Sequence, residues 1–307
     1  MDRGRRHVLF LGEPAAEDIH PVLGVVEELL SRGIRISYAT GERFAGLVRA
    51  SGADALDVHT ALSESAPHLV VYQSGAAEAA RNLARHWDVP VVAMHTGIAP
   101  KDDAREAEEP AVVFVPRAFQ PDQEHFGDEF AFVGPSVSGR FYTEARWRPP
   151  TSEPVLVVRP DGRDEVLAWC ADAFADQPWH VVADTEDGSG LPANFEVLRD
   201  IPALAVLRHA AVLLCGGSPA SVLSAAHQGV PVVVVAGTAD QRTVAEQVTR
   251  LGLGRVIHTA RELPEAVLGV AEDGAAIADA RRLQRLVLGA GGTEGAADVI
   301  QACLLCD

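Results

Sequence analysis

His7-Val-Leu-Phe-Leu11, then Pro21-Val-Leu-Gly-Val-Val-Glu-Glu-Leu-Leu30, then Ile34-Arg-Ile-Ser-Tyr-Ala39 are the segments that decide the fold of this chain. The first is a continuous apolar run, the pattern of a strand in a parallel sheet covered on both faces. In the second, Val22, Leu23, Val25, Val26, Leu29 and Leu30 fall at helical spacing. Pro21 suits a first turn and Gly33 suits the stop, so the spacing predicts a helix opening at Pro21. Ile34 to Ala39 returns to a β pattern, and the first forty residues read as one βαβ unit.

The alternation continues outward from there. A helix is expected at Glu42–Ser51, strands near Leu56, at His68–Tyr72 and at Val89–Met94, a helix at Ala76–Trp87, and short β runs at Val112–Val115 and Phe130–Val133. Between Tyr142 and Pro154 the composition shifts to Arg, Trp, Pro, Thr and Ser, and Pro149, Pro150 and Pro154 can continue neither a helix nor a central strand. The same rhythm resumes with strands at Val155–Arg159, His180–Ala183, Val212–Cys215 and Val230–Val235, separated by helical patterns. The expectation is an α/β chain of two doubly wound Rossmann-like domains, residues 1–141 and 155–307 joined by a linker at 142–154, facing a central cleft.

Composition narrows the function classes. The chain has 307 residues, 48% hydrophobic and 22% charged, enough for two cores. Its formal net charge of −17 argues against nucleic acid, because displacing the counterions of a polyanion takes a basic surface. The apolar run after the three Arg residues of the first six is too short for a signal peptide or a membrane span, so a cytoplasmic protein is expected. Cys170, Cys215, Cys303 and Cys306 form no disulfide framework, and the Cys303–Cys306 pair lacks a second pair of ligands. No metal or cofactor is assigned.

In open parallel sheets, ligands bind at the carboxyl ends of strands. Three loops qualify. Gly12 to His20 follows the first strand and carries Asp18 and His20 as candidate general bases, with Asp18 equally suited to helix capping. Cys215-Gly-Gly-Ser-Pro-Ala-Ser221 joins a strand to a helix, where Gly216, Gly217, Ser218 and Ser221 can cradle a diphosphate on backbone N–H groups. Ala236 to Gln241 presents Asp240 and Gln241, able to hydrogen-bond sugar hydroxyls, and Asp240 is also a natural cap. His95, after the strand at Val91–Met94, ends at the same edge and is a third catalytic candidate.

These loops carry a family resemblance. The order from Val8 to Leu30, the stretch Ile201-Pro-Ala-Leu-Ala-Val-Leu-Arg-His-Ala210, the Gly-Gly-Ser loop, Gly229-Val-Pro-Val-Val-Val-Val235, Asp240-Gln241 and Gly291-Gly-Thr293 together resemble the antibiotic-type nucleotide-sugar glycosyltransferases of the GT-B fold. The resemblance implies a catalytic His where this chain has Asp18, and an Asn where it has His20. It implies a base-stacking Trp at Asp200, a ribose-contacting Gln at Ala203, a phosphate-contacting His at Gly216 and a ribose-contacting Glu at Ser224. Only the sugar-contacting pair, Asp240 and Gln241, is retained. The family's acceptor-walling helices have no room in the stretches near Leu62–Pro67 and Gly97–Pro110.

From these replacements the leading expectation is a degenerate member acting in bacterial natural-product biosynthesis, one that binds a small molecule in the cleft and catalyses chemistry other than sugar transfer. A true transferase that takes a nucleotide sugar and uses Asp18 as base is the first alternative. A non-catalytic partner that stabilises or activates another biosynthetic enzyme is the second; the partners expected are a small-molecule ligand and either a partner enzyme or a second copy in a homodimer. Whether the chain is an enzyme stays open at this point.

Overall fold

The computed structural model describes residues 6–12, 16–57, 65–101, 109–136, 147–198 and 203–305. The chain divides into two compact units, one formed by Met1–Gly139 with Gly289–Asp307, the other by Arg140–Leu288.

In the first unit the described strands are β1 (His7–Leu11), β2 (Arg35–Ala39), β3 (Asp54–Leu56), β4 (Leu69–Gln73), β5 (Val91–His95), β6 (Ala111–Val113) and β7 (Phe130–Phe132), with helices α1 (Ala16–Ser31), α2 (Glu42–Ser51) and α3 (Ala77–Trp87). The strands order as β3-β2-β1-β4-β5-β6-β7, every neighbouring pair parallel. β1 and β4 are buried along their whole length, which is why they contain no alternation of polar residues.

In the second unit the described elements are β8 (Val155–Arg159), α4 (Asp164–Phe174), β9 (His180–Ala183), β10 (Phe195–Val197), α5 (Ala203–Leu207), β11 (Ala210–Cys215), α6 (Pro219–Gln228), β12 (Val232–Val234), α7 (Ala239–Arg250), β13 (Gly254–Val256), α8 (Leu263–Glu272) and α9 (Gly274–Gly289). Its parallel sheet has the order β10-β9-β8-β11-β12-β13. Both sheets therefore reverse their winding beside their first strand, between β1 and β4 and between β8 and β11. These are the switch points at which loops diverge and leave a crevice. No helix among the described residues is long and apolar enough to cross a membrane.

Two expectations are corrected. The last helix, α10 (Gly292–Leu305), does not stay with residues 155–307; Ala296, Ala297, Ile300 and Leu304 join the core of the first unit with Val22, Val25, Val26 and Leu29 of α1. Polar ties fix the return: Arg32 of α1 bonds Asp298 at 2.6 Å and Gln301 at 3.0 Å, and the Gly292 amide donates to the Val133 carbonyl at 2.6 Å. The first helix, in turn, starts at Ala16 and not at Pro21, which lies inside it. The fixed φ of proline fits the helix there; its cost is one missing N–H bond near the N-terminus.

His7 gives the first unit a pH response. Its ring is buried with Nε2 2.9 Å from Ser37 Oγ, and burial, followed by the charges of Arg35 and His68, pulls its pKa from 6.5 down to about 4. The folded state thus holds a neutral imidazole that the unfolded chain protonates below pH 6.5. The associated stability is complete above 6.5 and is lost as pH falls toward 4. At pH 5 the loss should be on the order of 1–2 kcal/mol. Urea midpoints at pH 7.5 and pH 5 should separate the wild type from His7→Gln, the wild type losing more; equal losses would contradict the assignment.

Candidate functional site

The second unit brings three loops together at the carboxyl edge of its sheet. After β8 the chain turns at Pro160-Asp161-Gly162-Arg163, closed by the Arg163 amide donating to the Pro160 carbonyl at 3.0 Å. Asp161 and Gly162 have φ of 51° and 79°, the signature of the type I′ turn that Asp-Gly favours. After β11, Gly216 and Gly217 lead into α6, whose N-cap is Ser218 with Pro219 following. After β12, Thr238 caps α7 and forms a capping box with Gln241.

Asp161 ties these loops to one another. One carboxylate oxygen accepts the Ser218 amide at 3.0 Å, and the other accepts the Ser221 hydroxyl at 2.7 Å. Ser218 Oγ donates to Ser221 Oγ at 3.0 Å and accepts the Ser221 amide at 3.2 Å, so the first turn of α6 closes on itself beneath the carboxylate. Ser221 is fully buried and Ser218 nearly so. The Asp161 carbonyl accepts from Gln241 Nε2 at 3.1 Å, while Gln241 Oε1 accepts the amides of Gly237 at 2.9 Å and Thr238 at 3.1 Å.

Two glycines permit the approach. A Cβ on Gly216 would collide with the Pro160 carbonyl and lie 2.9 Å from Asp161 Cβ. One on Gly217, at φ 92°, would meet Val234 Cγ1 at 2.9 Å. Cations rim the edge: Arg159 pairs with Asp184 at 3.1 Å, Arg163 with Glu165 at 2.6 Å, and Arg242 donates to the Gly237 carbonyl at 2.6 Å. Burial and the neighbouring Asp161 push the Cys215 thiol pKa upward, which removes it as a nucleophile.

The predicted residues Gly216, Gly217, Ser218, Ser221, Asp240 and Gln241 thus share one edge. Their roles differ from the expectation in two respects. The amide at the head of α6, expected to meet a diphosphate, is held by Asp161. The Gln241 amide is committed to loop structure, and Asp240 stands exposed in the first turn of α7. Asp161 is the residue that sequence reasoning missed, although Asp-Gly directly after a strand is a turn signal with a mechanism.

In the first unit, Asp18 and His20 lie on α1 and not on a loop; the Asp18 side chain is outside what the structure describes, and His20 is exposed. His95, at the end of β5, is buried, with Nδ1 3.1 Å from Ser74 Oγ and its ring stacked on Phe130 at 6.4 Å. Gln73, Ser74, Met94, His95, Thr96 and Gly97 line a cavity of about 200 Å³ at the carboxyl ends of β4 and β5. Asp200 lies outside the described residues, as do half of the stretch at 62–67 and half of that at 97–110.

The comparisons with known proteins extend over the whole chain. Residues 179–300 match the family described as Erythromycin biosynthesis protein CIII-like, C-terminal domain. NDP-glycosyltransferase YjiC of Bacillus subtilis is 28% identical, over 96% of this chain and 97% of that protein. That match runs over 380 positions, more than the 307 residues here, so the relative carries insertions. Demethyllactenocin mycarosyltransferase of Streptomyces fradiae is 25% identical over 97% of this chain and 86% of its own length. The crystal structure of CalG4, the calicheamicin glycosyltransferase, is similar with TM-score 0.85 and 31% identity over 98% of both chains. The expected departure from sugar transfer finds no support among these relatives, and the first alternative fits them better.

Ser221 provides a stability test of the interlocked edge. Ser221→Ala removes the hydroxyl between Asp161 and Ser218 and should cost about 1–2 kcal/mol, read as a lower urea midpoint. An unchanged midpoint would show that this bond carries no net stability.

Proposed function

This chain belongs to the antibiotic-type family of nucleotide-sugar glycosyltransferases, and from that membership we propose that it transfers a sugar from a nucleoside diphosphate sugar to an acceptor hydroxyl. The observation that carries the reading is the likeness to a glycosyltransferase over the full length of both units, at the level of sequence as well as fold. The reaction joins the acceptor oxygen to the anomeric carbon of the sugar. The bond from that carbon to the diphosphate breaks, its electron pair leaves with the nucleoside diphosphate, and the hydroxyl proton passes to a base.

The second unit is assigned the donor. Its loops at the switch point present the α6 N-terminus, where partial positive charge favours phosphate, and Asp240 in the first turn of α7 is exposed for sugar hydroxyls. His95 is assigned as the base. It borders a cavity, Ser74 holds its ring, and an imidazole is a stronger base at neutral pH than a carboxylate. Asp18 is the second reading, favoured by its place three residues before Pro21, where the resemblance sets the family's His.

Saturation-transfer NMR with UDP, dTDP and their glucose conjugates tests the donor assignment. Binding of both nucleotides and conjugates is expected, with Asp240→Ala weakening only the conjugates. No binding of any of them at millimolar concentration would contradict the reading. With a turning-over acceptor, His95→Gln should lower kcat by about 100-fold or more at unchanged donor KM, whereas Asp18→Asn should leave kcat within a few-fold. The reverse pattern would move the base to Asp18.

A further inference from the structure

We propose that Asp161 is a built-in occupant of the diphosphate seat in the second unit, and that it must give up its bonds to Ser218 and Ser221 before a nucleoside diphosphate can bind. This inference rests on the nucleotide-sugar reading and concerns the regulation of that same site.

The geometry begins at the switch point between β8 and β11. An anion reaching this crevice would use the Ser218 amide and the Ser221 hydroxyl at the positive end of α6, and both already donate to the Asp161 carboxylate, at 3.0 and 2.7 Å. A phosphate oxygen and this carboxylate cannot share those donors, and like charges at such separations repel. The seat is built for an anion: Ser221 is fully buried, and the first turn of α6 is closed around it.

Gly216 is the other half of the same arrangement. The resemblance sets a phosphate-contacting His at this position, yet any side chain here would strike the Pro160 carbonyl and crowd Asp161 Cβ at 2.9 Å. In this chain the absence of a side chain at 216 and the close approach of the Asp161 turn go together. Position 216 thus offers no cationic partner for a diphosphate, and the Pro160 carbonyl and Asp161 Cβ take the space a side chain there would need.

Asp161 is also placed to leave. It is half-exposed on a two-residue turn, and a Cβ on its neighbour Gly162 would meet nothing within 4 Å. The bond from Gln241 Nε2 is to its backbone carbonyl, so the side chain can rotate away with the turn intact.

Calorimetric titration of the full chain with dTDP and UDP tests the proposal, using Asp161→Asn and Asp161→Gly. Both replacements suit φ of 51°, so both should fold, which far-UV circular dichroism checks. Each variant should bind the diphosphates at least tenfold more tightly than the wild type, with thymidine and uridine binding unchanged. If the wild type binds and the variants bind no more tightly, or less, Asp161 does not occupy the seat, while the nucleotide-sugar reading stands. If neither the wild type nor the folded variants bind any nucleotide at millimolar concentration, the nucleotide-sugar reading falls, and this inference with it.

Discussion

A single carboxylate holds the working edge of the second unit together. Asp161 satisfies the leading amide of α6 and a fully buried hydroxyl, and its backbone carbonyl anchors the head of α7 through Gln241. Buried donors left without acceptors would each cost about 1–3 kcal/mol, so this side chain is structural before it is anything else. It also stands where a doubly wound sheet offers its crevice. Loop stability draws on these two donors, and under the inference proposed above a ligand that takes them must supply what the carboxylate supplied.

That double duty changes how the replaced family positions read. Taken one at a time, Gly216 for His and Asp18 for His look like losses of chemistry, and together they suggest a chain that has abandoned sugar transfer. In the structure Gly216 lets the turn at Asp161 approach closely enough for its carboxylate to reach the head of α6. His95, buried against Ser74 at the end of β5, is the base proposed for the first unit. The full-length likeness to glycosyltransferases is therefore compatible with the altered motifs.

Much of the fold was legible because it depends on patterns internal to each segment. Continuous apolar runs marked β1, β4, β8 and β11, and helical spacing placed α2 at its observed limits. What escaped depends on partners distant in sequence. The period of α10 shows that it has an apolar face but not that Ala296, Ile300 and Leu304 turn it toward α1. Pro21 reads as a helix start, yet the chain before it continues the helix to Ala16. At the site, the two strand-end loops of the second unit were found where expected, whereas the stretch from Gly12 to His20 is already helical from Ala16. Asp161 was legible only as half of a turn signal, since nothing local reveals that its carboxylate reaches residues 57 and 60 positions away.

The most direct measurement is a crystal structure of the chain with dTDP bound. The account predicts that phosphate oxygens accept the Ser218 amide and the Ser221 hydroxyl, with the Asp161 side chain rotated out of the seat. Nucleotide bound elsewhere, with Asp161 still bonded to both serines, would contradict it.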